Sequence, residues 1–158
     1  NKLKWETPSE LDVVNSIQSK MIDLIQKEGV LLPGVLNSLK LLKENNIPIA
    51  LASSSAMILI NTVIDTLKIK SYFNVIHSAE NEPAGKPDPS VFLSTAKSLN
   101  TKPSKCLVLE DSKAGMEAGI NAKMRTVVIP EVGNNLQWCF KAHKKLTSMN
   151  EFGLDLLN

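Results

Sequence analysis

The stretch 106–122, CLVLEDSKAGMEAGINA, decides the fold because it contains a complete strand, turn and helix. Its first four residues form a continuous apolar run, which is typical of a strand buried on both faces. Two acids and a serine follow at once, and the small residues of 114–122 predict a helix that packs closely against the sheet. An apolar strand that passes through polar residues into a helix is the repeating unit of a parallel α/β sheet.

The same unit recurs on both sides of this stretch. Strands are predicted over 47–52, 74–77 and 125–129, and Pro130 ends the last of them. Helices are predicted over about 56–67 and through 92–99. Apolar strands joined by helices predict an α/β fold of the Rossmann-like kind, with a mostly parallel sheet covered by helices on both faces.

Two further helices are predicted ahead of the first strand. Thr7-Pro8-Ser9-Glu10 is a helix opening in which Thr7 is the expected N-cap and Glu10 closes a capping box. Apolar residues at helical spacing continue from there to Gly29, and a second amphipathic helix runs to about Asn45.

Length and composition exclude several classes of protein. The 158 residues fit one domain, and the 43% hydrophobic content is enough to bury a core. The net charge of +2 comes from 18 basic and 16 acidic side chains scattered along the chain, so a nucleic-acid partner is not expected. No apolar stretch approaches the roughly 20 residues that span a bilayer, so a membrane partner is not expected either.

The cysteines and the first residues predict the location of the protein. Cys106 and Cys139 have no spacing typical of a zinc site or a disulfide framework, so we expect reduced thiols in a cytoplasmic protein. Residues 1–5 lack the layout of a signal peptide. Because the chain starts at Asn1 rather than at an initiator methionine, we expect it to be part of a longer protein.

Three polar clusters fall at or just beyond the predicted carboxyl ends of strands, where parallel sheets bind ligands. The first is Ser53-Ser54-Ser55, which follows an apolar strand and precedes a helix. The Ser53 hydroxyl and the amides of Ser54 and Ser55 are expected to converge on an anion at that helix N-terminus. The alternative is that these serines only cap the helix.

Lys86 is the second candidate, in the segment 85–89, GKPDP. The glycine and proline on either side of it restrict the backbone and hold the cation on a stiff loop. An ammonium group in such a loop suits a point contact to phosphate. The alternative is an exposed turn in which the lysine has no role.

Glu110 and Asp111 form the third cluster, at the mouth of the buried strand. Two adjacent carboxylates repel each other unless a cation relieves the repulsion. Mg²⁺ is the natural candidate because it takes oxygen ligands from one or two carboxylates and leaves positions for water and phosphate. The alternative is that Asp111 merely caps the following helix.

Four segments in order, LLPGV at 31–35, LASSS at 51–55, GKPDP at 85–89 and LVLEDS at 107–112, resemble the haloacid dehalogenase-like phosphatases. Within that superfamily the chain is similar to phosphatases of 2-deoxyglucose 6-phosphate and of related hexose and hexitol phosphates. The resemblance implies that Ser53 holds the transferring phosphoryl group and that Lys86 neutralises charge on it. It also implies that Asp111, with Glu110 beside it, orients magnesium.

The resemblance further implies chemistry for which this chain lacks a part. In such enzymes an aspartate of an Asp-x-Asp pair attacks phosphorus, the second aspartate acts as general acid and base, and water hydrolyses the aspartyl-phosphate. The 158 residues contain no Asp-x-Asp. We therefore expect a chain that is inactive alone and that lacks its first central strand, which in the family lies beside the strand ending in Glu110.

The resemblance divides the chain into two parts. Residues 1–29 are expected to be the last helix of a truncated helical cap, and residues 30–158 an incomplete core domain. Since a missing central strand exposes unpaired backbone groups, we expect the chain to self-associate or to retain an N-terminal peptide. Its small-molecule partner is expected to be a phosphate monoester, and in particular a sugar phosphate.

Two other functions remain open. A β-phosphoglucomutase shares much of the pattern, but those mutases usually continue the serine segment with a lysine and an asparagine, where Ala56 and Met57 stand here. A non-catalytic interaction module that kept the fold and lost the chemistry is the alternative from a different class.

Overall fold

The computed structural model describes residues 9–131 and 136–157. Its first helix, α1 (Glu10–Glu28), begins after Ser9, whose side chain accepts a hydrogen bond from the Asp12 amide at 3.2 Å. The Asp12 carboxylate accepts one from the Ser9 amide in return. The capping box is therefore formed by Ser9 and Asp12, and the prediction that Glu10 closes it is wrong because Glu10 is the first helical residue; Thr7 lies outside the described residues.

The remaining helices and strands alternate as the sequence predicts. In chain order they are α2 (Val35–Glu44), β1 (Ala50–Ser53), α3 (Met57–Thr66), β2 (Val75–Ser78), α4 (Ser90–Ser98), β3 (Leu107–Glu110), α5 (Lys113–Asn121), β4 (Arg125–Val128) and β5 (Lys144–Lys145). β1, β2 and β3 each extend one residue beyond the predicted end, so that Ser53, Ser78 and Glu110 belong to the strands themselves. β5 was not predicted, because two exposed lysines carry no apolar pattern.

All the strand pairs are parallel, which confirms the predicted α/β class. β1 pairs with β2 from Ala50 opposite Val75 onward, and β3 pairs with β4 from Leu107 opposite Arg125 onward. β5 adds to the far side of β4. The strands of the described residues form two sheets, in the orders β1-β2 and β3-β4-β5, and not one continuous sheet.

Apolar residues of β3 pack on both of its faces, as expected for a buried parallel strand. Val108 lies in one core cluster with Phe92 of α4 and Ala118 of α5. Leu107 and Leu109 belong to a second cluster on the opposite face, which includes residues of α2 and of the C-terminal segment. Helices therefore cover both sides of the sheet.

A cavity of about 280 Å³ lies between β1 and β3. Its lining includes Ala50 and Ala52 of β1 and Leu107 to Leu109 of β3. The cavity runs beside β3, where the family resemblance predicts a further strand.

α1 differs from the other long helices because it buries none of its residues. It packs against α3 and takes no part in the core clusters of the described residues. Its exposed apolar side chains are Leu11, Val13, Val14, Ile17, Met21 and Leu24. The division into a cap helix and a core domain stays a prediction.

Among the described residues, none of the helices has both the length and the apolar character needed to cross a membrane.

Candidate active site

One cleft at the carboxyl ends of β1 and β3 brings the predicted site residues together. Its volume is about 470 Å³. The side chains and backbone that line it include Ser53, Ser54, Ser55, Lys86, Glu110, Asp111 and Ser112. The carboxyl ends of β1 and β3, one from each sheet, face the same cleft, which is why segments far apart in sequence meet here.

The serine loop is organised by its own hydrogen bonds. Ser53 Oγ accepts a hydrogen bond from the Ser55 amide at 3.1 Å, so the Ser53 hydroxyl proton stays available for another acceptor. The Ser55 amide is thereby used inside the loop, which differs from the expectation that it faces an anion. The Ser54 amide forms no hydrogen bond with another described residue.

Residues after β2 hold this loop in place. Ser78 Oγ donates to the Ser55 carbonyl oxygen at 2.7 Å, and Glu80 Oε2 accepts from the Met57 amide at 2.6 Å. The N-cap residue of α3 is Ala56, which has no side-chain cap. Glu80 thus accepts the hydrogen bond of the first amide of α3. The alternative that the serines cap this helix is therefore wrong.

Lys86 forms an ion pair with Glu110, in which the ammonium group donates to Glu110 Oε1. Only 12% of the lysine side chain and 8% of the glutamate side chain are exposed. Burial of a charged lysine is tolerated when a partner of opposite charge accompanies it. The alternative of an incidental lysine in an exposed turn does not fit this arrangement.

Both oxygens of Glu110 are engaged by the protein. Oε2 accepts a hydrogen bond from Ser112 Oγ at 3.1 Å, and Ser112 Oγ in turn accepts from the Gly115 amide at 3.0 Å. Ser112 is the N-cap of α5, so the alternative that Asp111 caps this helix is wrong. Gly115 makes room for the carboxylate, because a Cβ there would lie 1.9 Å from Glu110 Oε2.

Asp111 is exposed in the cleft, and its carboxylate forms no hydrogen bond or ion pair with the other described residues. Within the described part of the chain, no third Asp, Glu, His or Cys joins Glu110 and Asp111 in a metal-binding group. Two carboxylates with room for water and phosphate suit Mg²⁺, which is seldom held by protein ligands alone. The donor set therefore fits magnesium, and the roles of the individual residues stay predictions.

The two histidines have partners of their own away from these acids. His77 Nε2 lies 2.7 Å from Glu82 Oε1, and His143 Nδ1 accepts from the Thr126 amide at 3.0 Å. The hydrogen bond from His77, with a second one from Ser94, lowers the pKa of Glu82 below its ordinary value of 4.5.

Sequence reasoning missed two contributors to this site. Phe92 begins the helix predicted through 92–99, but nothing in the sequence indicates that its ring lies beneath the Lys86 ammonium group. The role of Ser78 depends on a contact between separate loops. The one local sign of it was a serine at a strand end, which is too common to stand out.

The fold and the cleft together define a class: an α/β protein in which a serine loop, a paired lysine and two carboxylates line one cleft. The sequence profile of the haloacid dehalogenase-like hydrolases matches residues 4–129. The chain belongs to the haloacid dehalogenase-like hydrolase family.

Individual relatives agree with this assignment. Hexitol phosphatase B of Escherichia coli is 36% identical over 149 residues, which are 93% of this chain and 67% of that protein. The structure of β-phosphoglucomutase from Clostridium difficile matches with a TM-score of 0.78 and 33% identity, over 93% of this chain and 66% of that one.

CbbY from Rhodobacter sphaeroides, solved in complex with xylulose-(1,5)bisphosphate, matches with a TM-score of 0.85 at 22% identity. The match covers 96% of this chain and 71% of that one, and it supports the fold alone. The chain spans about two thirds of the length of hexitol phosphatase B.

Proposed function

We propose that this protein is a magnesium-dependent phosphatase of sugar phosphates. The observation that carries the proposal is the buried pair of Lys86 and Glu110 in the same cleft as Ser53 and Asp111. An ammonium group held beside a hydroxyl donor and a carboxylate suits a phosphate ester and its divalent counter-ion. Relatives named as a hexitol phosphatase and a phosphoglucomutase support sugar phosphates as the substrate class.

The cleft residues divide the work of binding the phosphoryl group. The Ser53 hydroxyl donates a hydrogen bond to one phosphoryl oxygen, and the Ser54 amide donates to a second. Lys86, which lines the same cleft, neutralises negative charge on the phosphoryl group. The pairing with Glu110 restrains the ammonium group before substrate arrives, which reduces the side-chain ordering left to the binding step.

Asp111 would hold magnesium directly, and Glu110 would hold it alongside its contact with Lys86. When bound, the metal supplies positive charge that stabilises the phosphoryl group during transfer. Asp111 is the better placed of the two residues, because its carboxylate is exposed and has no other partner among the described residues.

The bond-breaking step needs a nucleophile from outside these 158 residues. In the family-type reaction an aspartate oxygen bonds to phosphorus as the ester oxygen leaves with a proton. Water then cleaves the aspartyl-phosphate, which yields inorganic phosphate and restores the aspartate. Without an Asp-x-Asp pair, the chain alone binds phosphate but does not turn substrate over.

The cavity between β1 and β3 supports the expectation that a further strand completes the site. Its walls are the neighbouring edges of two parallel sheets. Unpaired strand edges favour association with another extended segment. The 158-residue chain therefore self-associates or stays bound to an N-terminal peptide. A stable monomer of the chain without such a peptide, seen by native mass spectrometry, would contradict this.

The function is tested by comparing two proteins in the presence of magnesium: the 158-residue chain, and the longer protein with an Asp-x-Asp segment ahead of it. Substrates are p-nitrophenyl phosphate and a panel of hexose and hexitol phosphates. We expect phosphate release by the longer protein and none by the chain alone. Lys86→Met in the longer protein should abolish release, whereas Lys97→Met, an exposed position, should leave it unchanged.

Two results would contradict the proposal in different ways. Turnover by the 158-residue chain that disappears in a Ser53→Ala variant would show that the nucleophile lies within it. A longer protein that releases no phosphate from any of these esters would refute the phosphatase assignment. Conversion of β-glucose 1-phosphate to glucose 6-phosphate without phosphate release would favour a mutase instead.

A further inference from the structure

The ammonium group of Lys86 has a second neighbour besides Glu110. Its nitrogen lies 4.8 Å from the centroid of the Phe92 ring and over the face of that ring. The face of an aromatic ring carries negative electrostatic potential, so a cation at this distance is attracted to it. Lys86 is therefore held between a carboxylate and an aromatic face.

Phe92 is well suited to serve as a fixed support. It is 7% exposed and packs in the core cluster with Val108 of β3 and Ala118 of α5. It lies in the first turn of α4, where its amide donates to the Pro89 carbonyl oxygen at 3.0 Å. Its position is thus set by the core and by the helix, independently of the lysine.

The loop that carries Lys86 is also fixed from the opposite side. Asn121 Nδ2, at the end of α5, donates to the Pro87 carbonyl oxygen at 3.1 Å. Asp88 accepts a hydrogen bond from the Ser90 amide at 2.9 Å, which ties the loop to the start of α4. The backbone of the loop is therefore held, and the ring of Phe92 acts on the flexible part, the lysine side chain.

We propose that Phe92 is a positioning residue that holds the Lys86 ammonium group at the cleft through the face of its ring. A lysine side chain has many rotamers, and a phosphate that binds must otherwise order it at an entropic cost. The ring confines the ammonium group in advance. The binding of phosphate by the ammonium group rests on the proposed function, whereas the contact between the ring and the ammonium group does not.

The alternative is that Phe92 only fills the core. A core phenylalanine responds to its shape and volume, whereas a cation-binding ring also responds to the electron density on its face. Fluorine atoms withdraw that density with little change of shape. A series of fluorinated phenylalanines at position 92 therefore separates the two roles.

The first measurement is the acylation rate of Lys86 relative to exposed Lys97 in this chain, followed by mass spectrometry, with none, one, two or five fluorines on the ring of residue 92. Because the ring face holds the largely buried ammonium group against the protein, it limits the access of the acylating reagent to Lys86. We expect the relative rate to rise stepwise, by about two- to tenfold over the series. The same series at Phe152, which is 9% exposed in a different cluster, is the control and should have no effect.

A flat acylation rate at position 92, or the same rise at both positions, would overturn the proposal. Conservative variants give a second readout if the most fluorinated protein fails to fold. Phe92→Tyr keeps a ring face and should preserve the slow acylation of Lys86, while Phe92→Leu should lose it. Equal rates in these two variants would also overturn the proposal.

Titration of inorganic phosphate keeps this test distinct from that of the function. We expect the dissociation constant of phosphate to rise with fluorination at position 92 by a similar factor of about two to ten. An unsubstituted protein that binds no phosphate would refute the proposed function, while the acylation series would still decide whether the ring holds the cation.

Discussion

The substitution Gly115→Ala tests the geometry of the site directly. A Cβ at this position would lie 1.9 Å from Glu110 Oε2 and 2.1 Å from Glu110 Cδ. Such contacts do not occur below 3.0 Å, so the carboxylate must move by at least 3.0 − 1.9 = 1.1 Å. A shift of that size separates Glu110 from Lys86, because only 8% of the glutamate side chain is exposed and the room around it is small.

Two opposing contributions set the expected size of the effect. Replacing glycine by alanine inside a helix stabilises it by about 1 kcal/mol. Breaking a buried ion pair by removing one partner costs about 3–5 kcal/mol, and separating the partners costs part of that. We therefore expect Gly115→Ala to lower the free energy of unfolding by about 2 kcal/mol, with the pair and not the helix deciding the sign.

The assay is urea unfolding followed by circular dichroism, together with titration of inorganic phosphate. Gly85→Ala is the matched control, since a Cβ at Gly85 would meet no atom within 4 Å. It lies beside Lys86 in the same loop and should change stability by less than about 0.5 kcal/mol. Phosphate affinity should fall in Gly115→Ala and stay constant in Gly85→Ala.

The reasoning would be refuted by a Gly115→Ala protein that gains about 1 kcal/mol and binds phosphate as before. That outcome would mean that Glu110 has an alternative rotamer which still pairs with Lys86.

Three further predictions follow from single hydrogen bonds. Ser112→Ala removes the N-cap of α5 and the hydrogen bond to Glu110, and should lower the free energy of unfolding by about 1 kcal/mol in urea, whereas Ser112→Thr, which keeps the hydroxyl, should retain most of the stability. Ser78→Ala removes the hydrogen bond that the buried Ser78 hydroxyl donates to the Ser55 carbonyl oxygen and should cost about 0.5–1.5 kcal/mol, with Ser78→Thr as the control that keeps a hydroxyl. Because His77 lowers the pKa of Glu82 below 4.5, the stability from that pair is present above this value and is lost as the pH falls through the lowered pKa. We expect Glu82→Gln to reduce this loss of stability at acid pH, measured by urea unfolding at a series of pH values. An unchanged dependence of the free energy of unfolding on pH would contradict the pairing of His77 with Glu82.

The strands and the cleft could be predicted because both depend on patterns local to the sequence. A continuous apolar run such as 106–109 predicts a buried strand without knowledge of its neighbours. Once parallel strands are expected, polar residues at their ends are expected to meet. Ser53, Lys86 and Asp111 lie in one cleft for this reason.

The contacts inside the cleft could not be predicted, because they depend on side-chain directions. Lys86 and Glu110 are 24 positions apart in the chain, and no local feature distinguishes their ion pair from two separate charges that face solvent. The small residues of 114–122, which include Gly115 and Gly119, predict close packing against the sheet. That holds for Gly119, where a Cβ would lie 2.6 Å from Thr126 Oγ1, but Gly115 makes room for Glu110 instead.

The position of α4 explains how the two sides of the cleft stay together. Ser53 ends a strand of one sheet and Asp111 follows a strand of the other, and hydrogen bonds between strands do not join these sheets in the described residues. α4 packs against β1 and β2, while its residue Phe92 packs with Val108 of β3. The same ring supports Lys86, so the helix that joins the two sheets also places the cation. Loosening α4 should therefore open the cleft and displace Lys86 in one event, before either sheet loses its own strand pairing.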